Sequence, residues 1–202
     1  MLKLPEVTQL QKSLPKVQIY RKFQLTNSQQ TKFDADISRI DIVNEVSSRT
    51  IPSIPEGQKI KSFYVLSVTL KTKNYAPKNI ELIAKLIPQN LVFALQFEEE
   101  IQLAVFYEKV FATDWMPESK ASIQLTGLNF DEVWENIIKK IEGGEWNNDL
   151  TLKENIEIKD KKEKLEKEIN RLEKLARKEV QPKKKFELVN QKRKLEEELN
   201  RL

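Results

Sequence analysis

The clearest alternation of apolar and polar positions runs through residues 60–74, "IKSFYVLSVTLKTKN". Tyr64, Leu66, Val68 and Leu70 share one face of a period-two strand, and Phe63, Val65, Ser67 and Thr69 share the other. The first face is wholly apolar and the second half so, which predicts a central strand packed by helices on one side. The next segment, "APKNIELIAKLIPQN", switches to helical spacing, with Pro77 near its start, Ile80, Ile83, Ala84 and Ile87 in register, and Pro88 as its stop. "LVFALQFEEEIQLAVFYEKVF" returns to alternation on both sides of Glu98–Glu100 and predicts a β-hairpin with the glutamates at its tip. A further short strand is expected around Ile123 and Leu125. Asn129 or Asp131 then caps a helix whose stripe is Phe130, Val133, Trp134, Ile137, Ile138 and Ile141, stopped by Gly143 and Gly144.

Towards the N-terminus, "KVQIYRKF" (16–23) predicts an edge strand. In "LTNSQQTKFDADISRIDIVNEVS", Thr26 or Ser28 caps a helix in which Phe33, Ile37 and Ile40 form the apolar face and Asp34, Asp36 and Asp41 the polar one. Three aspartates invite a metal reading, but no convergent partner is visible, and a solvated face explains them more simply. "RTIPSIPEGQK" (49–59), with two prolines and Gly57, is a loop. These elements describe an α+β layer: a mostly antiparallel sheet covered by helices, over residues 1–148.

Residues 149–202 follow a different pattern. Ile158, Leu165, Ile169, Leu172 and Ala176 recur at a/d spacing, with Lys162 the one polar intruder. Pro182 interrupts the run, and Leu188, Leu195, Leu199 and Leu202 restart it two residues out of frame. A continuous rod would rotate the second stripe off the seam, whereas two helices joined by a tight turn at "VQPKK" bring the stripes face to face. The frame shift predicts an antiparallel coiled-coil hairpin. Glu163–Lys167, Glu173–Arg177 and Glu197–Arg201 are i,i+4 pairs in the favourable order.

Charge reinforces the division. Residues 151–202 hold 17 Lys/Arg and 12 Asp/Glu; subtraction from the chain's 35 and 31 leaves 18 and 19 for residues 1–150. The net +4 therefore resides in the tail. Two basic clusters, Lys183, Lys184, Lys185 and Lys192, Arg193, Lys194, are the candidate nucleic-acid contacts. Phe186 is their only aromatic neighbour, which gives base stacking little to work with.

The chain has no cysteine and no histidine, so disulfide scaffolds, thiol nucleophiles, Cys/His zinc sites and histidine bases are excluded. None of its four glycines falls in a phosphate-cradling loop, and no G-x-S-x-G elbow occurs. A carboxylate-metal nuclease would want an Asp and a Glu-x-Lys on adjacent strands; Glu108-Lys109 lacks the intervening residue. No cofactor is expected. The N-terminal stretch does not read as a signal peptide, and no run of about 18 apolar residues offers a membrane span. A cytoplasmic protein is the expectation.

The sequence resembles a bacterial family, domain of unknown function 4391. The likeness is carried by "LPEVTQLQKSLPK", "KFDADISRI", "IKSFYVLSVTLK", "IELIAKLIPQNLVFALQFEEEIQLAVFYEK", "TDWMP" and "KKKFELVNQKRKLEEEL", essentially the full chain. The resemblance supplies no activity and no active-site residues. It implies genes placed beside helicases and DNA methyltransferases in restriction and antiviral islands. The expected function is a non-catalytic accessory subunit whose C-terminal leucines dock a helicase or methyltransferase subunit, or a second copy of the chain. Nucleic-acid binding through the two basic clusters is the alternative, and a carboxylate-metal nuclease a remote one.

Overall fold

The computed structural model describes residues 2–147 and 149–201. The chain divides into two compact units, Met1–Gly144 and Glu145–Leu202.

The first unit is built on one sheet in the order β1-β2-β3-β4-β5-β6, formed by Gln9–Ser13, Ile37–Ser47, Ser62–Leu70, Asn90–Phe97, Glu100–Tyr107 and Lys109–Ala112. A two-residue strand, β7 (Met116–Pro117), pairs with β5. Among the described strands only β3 and β4 pair in parallel, and the helix α3 (Pro77–Leu86) makes the crossover between them. The β4–β5 hairpin has its tip at Glu98 and Glu99, as the alternation predicts, and Glu98 adopts a positive φ there.

One face of the sheet holds Ile40, Leu66, Val68, Leu91, Phe93 and Leu95, packed against α1 (Lys16–Lys22), α2 (Asn27–Asp36) and α3 through Ile19, Phe33, Ile80 and Ile83. The opposite face is covered as well. Phe63 meets the rings of Phe130 and Trp134 on α4 (Phe130–Glu142) at 6.5 and 5.7 Å. Strand β3 is therefore buried on both faces, not one: the ring of Phe63 meets a second helical layer, and Val65 on the same face is fully buried. Ser67 is tolerated inside because its hydroxyl donates to Gln96 Oε1 at 2.8 Å.

Three local expectations are corrected. Residues 16–22 are the helix α1, started by Pro15, and the edge strand is β1 just before it. The α2 helix ends at Asp36; Ile37 and Ile40 belong to β2. A β-bulge between Ile37 and Arg39 lets residues three apart share one face of that strand, so the strand imitates helical spacing. No strand forms at Ile123 and Leu125: residues 121–126 lie outside the sheet, and the strands in this region are β6 and β7.

Helix termini follow the expected chemistry. Thr26 and Gln29 form a capping box on α2, and Asn129 Oδ1 accepts from the Glu132 N–H at 3.1 Å on α4. Asp131 has another task. Its carboxylate accepts from the backbone N–H groups of Gln58, Lys59 and Ile60 at 2.7, 3.0 and 2.7 Å, pinning the 49–59 loop and its end to α4. Partial burial pushes this carboxyl up, but the three amide donors outweigh it and hold it below the usual carboxylate range.

Candidate docking surface on the helical hairpin

The second unit is two long helices, α5 (Leu152–Lys178) and α6 (Pro182–Leu199). Thr151 and Glu154 form a capping box that starts α5, with Glu154 Oε2 accepting from the Thr151 N–H at 2.8 Å. Asn155 ties the preceding segment down, donating from Nδ2 to the carbonyls of Asn147 and Leu150 at 2.9 and 3.1 Å. At the other end Glu179 Oε1 accepts from the N–H groups of Val180 and Gln181, both at 2.9 Å, and Pro182 opens α6 where its missing N–H costs nothing.

The two helices form the antiparallel hairpin that the frame shift at Pro182 predicts. Lys161, early in α5, pairs with Glu198 at the end of α6 at 2.8 Å; Glu173, late in α5, meets Lys192 at 3.6 Å. Ile169, Leu172 and Ala176 are buried, and Ile158, Leu165, Leu188, Leu195 and Leu199 are half-buried. Leu202 lies outside the described residues. Leu152 and Ile156 are buried too, although they precede the heptads; their four-residue spacing was the available signal. Of the anticipated i,i+4 pairs, Glu163–Lys167 and Glu173–Arg177 form at 3.9 and 2.5 Å, while Glu197 pairs with Arg193 at 3.5 Å.

The structure separates the basic residues into two groups. Lys192 occupies a seam position between Leu188 and Leu195, with its side chain 26% exposed and its ammonium near Glu173 and Glu196. Arg193 is tied to Glu197. Lys183, Lys184, Lys185 and Lys194 are exposed and form no ion pair among the described residues.

Apolar exposure concentrates at the same end of the hairpin. Leu175, Val180, Phe186 and Val189 are 44, 89, 67 and 45% exposed, and elsewhere among the described residues the large exposed apolar side chains are scattered singly. Phe186 and Val189, three apart, share a side of α6 that the Leu188–Leu195 seam does not use. On another side a groove of about 480 Å³ has Leu175 and Leu188 at its floor and Lys178, Lys184 and Glu187 at its edge.

The three aspartates that invited a metal reading, and Glu100 at the hairpin, are each engaged by protein partners. Asp34 accepts from Tyr20 at 2.7 Å and from Lys16; burial pushes its carboxyl up, but these two donors outweigh it and lower it. Asp36 Oδ2 accepts from the Ala76 N–H and from Asn79 Nδ2, both at 2.8 Å, and Asp41 pairs with Arg39 at 2.6 Å. Glu100 pairs with Lys73, whose ammonium lies 5.7 Å from the Trp115 ring. Among the described residues no group of three or more acidic side chains is placed to hold a metal ion. No helix among them is long and apolar enough to cross a membrane.

The family model described as Domain of unknown function (DUF4391) matches residues 2–199. The chain belongs to that family. Its model runs through both units, so the hairpin is part of what defines the family. No curated protein and no solved structure matches the chain.

Proposed function

We propose that this protein is a non-catalytic accessory subunit of a bacterial DNA restriction or antiviral system, acting in the cytoplasm, and that the turn end of its helical hairpin docks a protein partner. The observation that carries the reading is the coincidence of exposed apolar side chains (Leu175, Val180, Phe186, Val189) with lysines that have no carboxylate partner (Lys183, Lys184, Lys185) within one stretch of 15 residues. An apolar anchor ringed by cations suits a partner surface with an apolar pocket and an acidic rim. A helicase or methyltransferase subunit encoded nearby is the expected partner. The half-buried seam leucines at 188, 195 and 199 would be covered further by the bound partner helix.

The test is co-expression with each neighbouring helicase or methyltransferase and size-exclusion chromatography of the mixture. Phe186→Asp with Val180→Asp should abolish the complex while leaving the circular dichroism spectrum unchanged. A complex that survives both substitutions, or none formed by the wild type, rejects the proposal.

The unpaired Lys183, Lys184, Lys185 and Lys194 also support a second reading, contact with nucleic-acid phosphates. Binding to duplex DNA would then fall with salt at a log–log slope of about −0.9 per phosphate neutralised. Replacing Lys183–Lys185 by alanine should flatten that slope by roughly three such increments. An unchanged slope would dispose of it.

A further inference from the structure

A second surface, confined to the first unit, goes beyond the docking role of the hairpin. A cleft of about 630 Å³, within the usual size of a ligand site, lies between α4, the β5–β7 side of the sheet and residues 120–126. Its floor is aliphatic: Leu103, Met116, Ile123, Ile137 and Ile141. Lys120, Lys139 and Lys140 stand around it, no carboxylate lines it, and Lys120 and Lys140 form no ion pair among the described residues.

One wall of the cleft has the character of an unfilled sheet edge. Residues 121–126, "ASIQLT", run without helix or turn, and burial alternates along them, with Ala121 and Ile123 buried and Gln124 and Thr126 exposed. The Ile123 N–H donates to the Leu2 carbonyl at 3.1 Å. In an extended chain successive residues turn their backbone groups to opposite sides, so Ser122, Gln124 and Thr126 turn theirs away from Leu2. Those three residues line the cleft, and Ile123 joins them on its floor. Asn136, also in the lining, donates to the Thr126 carbonyl at 2.9 Å; the N–H groups of Ser122, Gln124 and Thr126 donate to no protein acceptor among the described residues.

We infer that this cleft binds an extended, acidic segment of another protein, added as a strand along residues 122–126 with its aliphatic side chains on the floor and its carboxylates at Lys120 and Lys140. The backbone edge would supply the hydrogen bonds and the alternate pockets the selectivity, as in other strand-addition modes. The lining holds no aromatic platform on which a nucleotide base could stack, and a small anion would leave the aliphatic floor uncovered.

The experiment uses the full-length protein and three fluorescein-labelled heptapeptides: alternating Glu and Ile, alternating Lys and Ile, and the Glu/Ile peptide with its backbone N-methylated at alternate residues. Fluorescence polarisation should show saturable binding of the first alone, weakened roughly tenfold or more by Lys120→Glu with Lys140→Glu. Both lysines are exposed, so the double variant keeps its fold, and its unchanged thermal midpoint is the control. Three outcomes overturn the inference: no binding of the Glu/Ile peptide, equal binding by the charge-reversed protein, or equal binding of the N-methylated peptide. The hairpin variant Phe186→Asp should bind the peptide as the wild type does, which keeps this test separate from that of the proposed function.

Discussion

The Asp131 carboxylate occupies the space that a side chain on Gly57 would need. A Cβ built on Gly57 collides with Oδ1 and Cγ of Asp131 and lies 2.6 Å from the Asp131 backbone nitrogen. Glycine is required at position 57 by this close approach, and the approach brings three amide donors onto one carboxylate.

Asp131→Ala should therefore destabilise the protein by about 2 kcal/mol, the scale of hydrogen bonds to a charged group discounted for the partial exposure of this one. Gly57→Ala should also destabilise, and less severely in the Asp131→Ala background, where the clash with the carboxylate is gone. Urea unfolding of the two single variants and the double variant measures the coupling; strict additivity would contradict the described contact.

The same latch gives a pH dependence. The Asp131 carboxyl titrates below its unfolded value, so the folded state binds fewer protons there. Its stabilisation is present above the unfolded carboxylate pKa of about 3.9 and is lost as pH falls through the lower folded value. Asp34 acts in the same direction. Asp131→Asn should flatten the acid limb of a stability–pH curve below about pH 5 and leave its neutral region parallel to the wild type.

The hairpin register is testable by charge exchange. Lys161→Glu or Glu198→Lys alone places like charges together across the helices, and the double exchange restores the pair. A double-mutant cycle should return a coupling of roughly 0.2–1 kcal/mol, the range of exposed ion pairs, and it should shrink in 1 M salt. Zero coupling at low salt would argue against this register.

Leu172 is among the most buried seam residues, facing α6, which has no fully buried residue of its own. Leu172→Ala should cost about 2 kcal/mol, the low end for core leucines because the facing surface is half-exposed. Amide hydrogen exchange should show the loss in α5 and α6, with β3 and β4 unaffected.

Most of the fold was legible where one rule sufficed. The alternation in β3, β4 and β5, the stripe of α4 and the heptads of α5 and α6 all name their elements. The phase shift across Pro182 also gave the hairpin its direction. The failures occurred where two rules met. The bulge at Ile37–Arg39 gave a strand the spacing of a helix, and α1 was too short for its period to outweigh the β-branched Val17 and Ile19. The docking surface was half legible: the basic clusters were visible, but only the packed hairpin shows that Lys192 belongs to the seam while Lys183–Lys185 do not. The Gly57–Asp131 contact left no local trace, since its partners are more than seventy residues apart in sequence.

Helix α3 has no side-chain cap of its own; its start is anchored by Asp36, forty residues upstream, whose carboxylate accepts from the N–H of the N-cap residue Ala76 and from the side-chain Nδ2 of Asn79. This makes the crossover conditional. A peptide containing only α3 lacks its terminator and should be poorly helical in isolation. In the whole chain the start of α3 leans on the junction of α2 and β2. Asp36 thus ties the parallel crossover to the antiparallel half of the sheet, so that loosening the α2–β2 junction also loosens the start of the crossover helix.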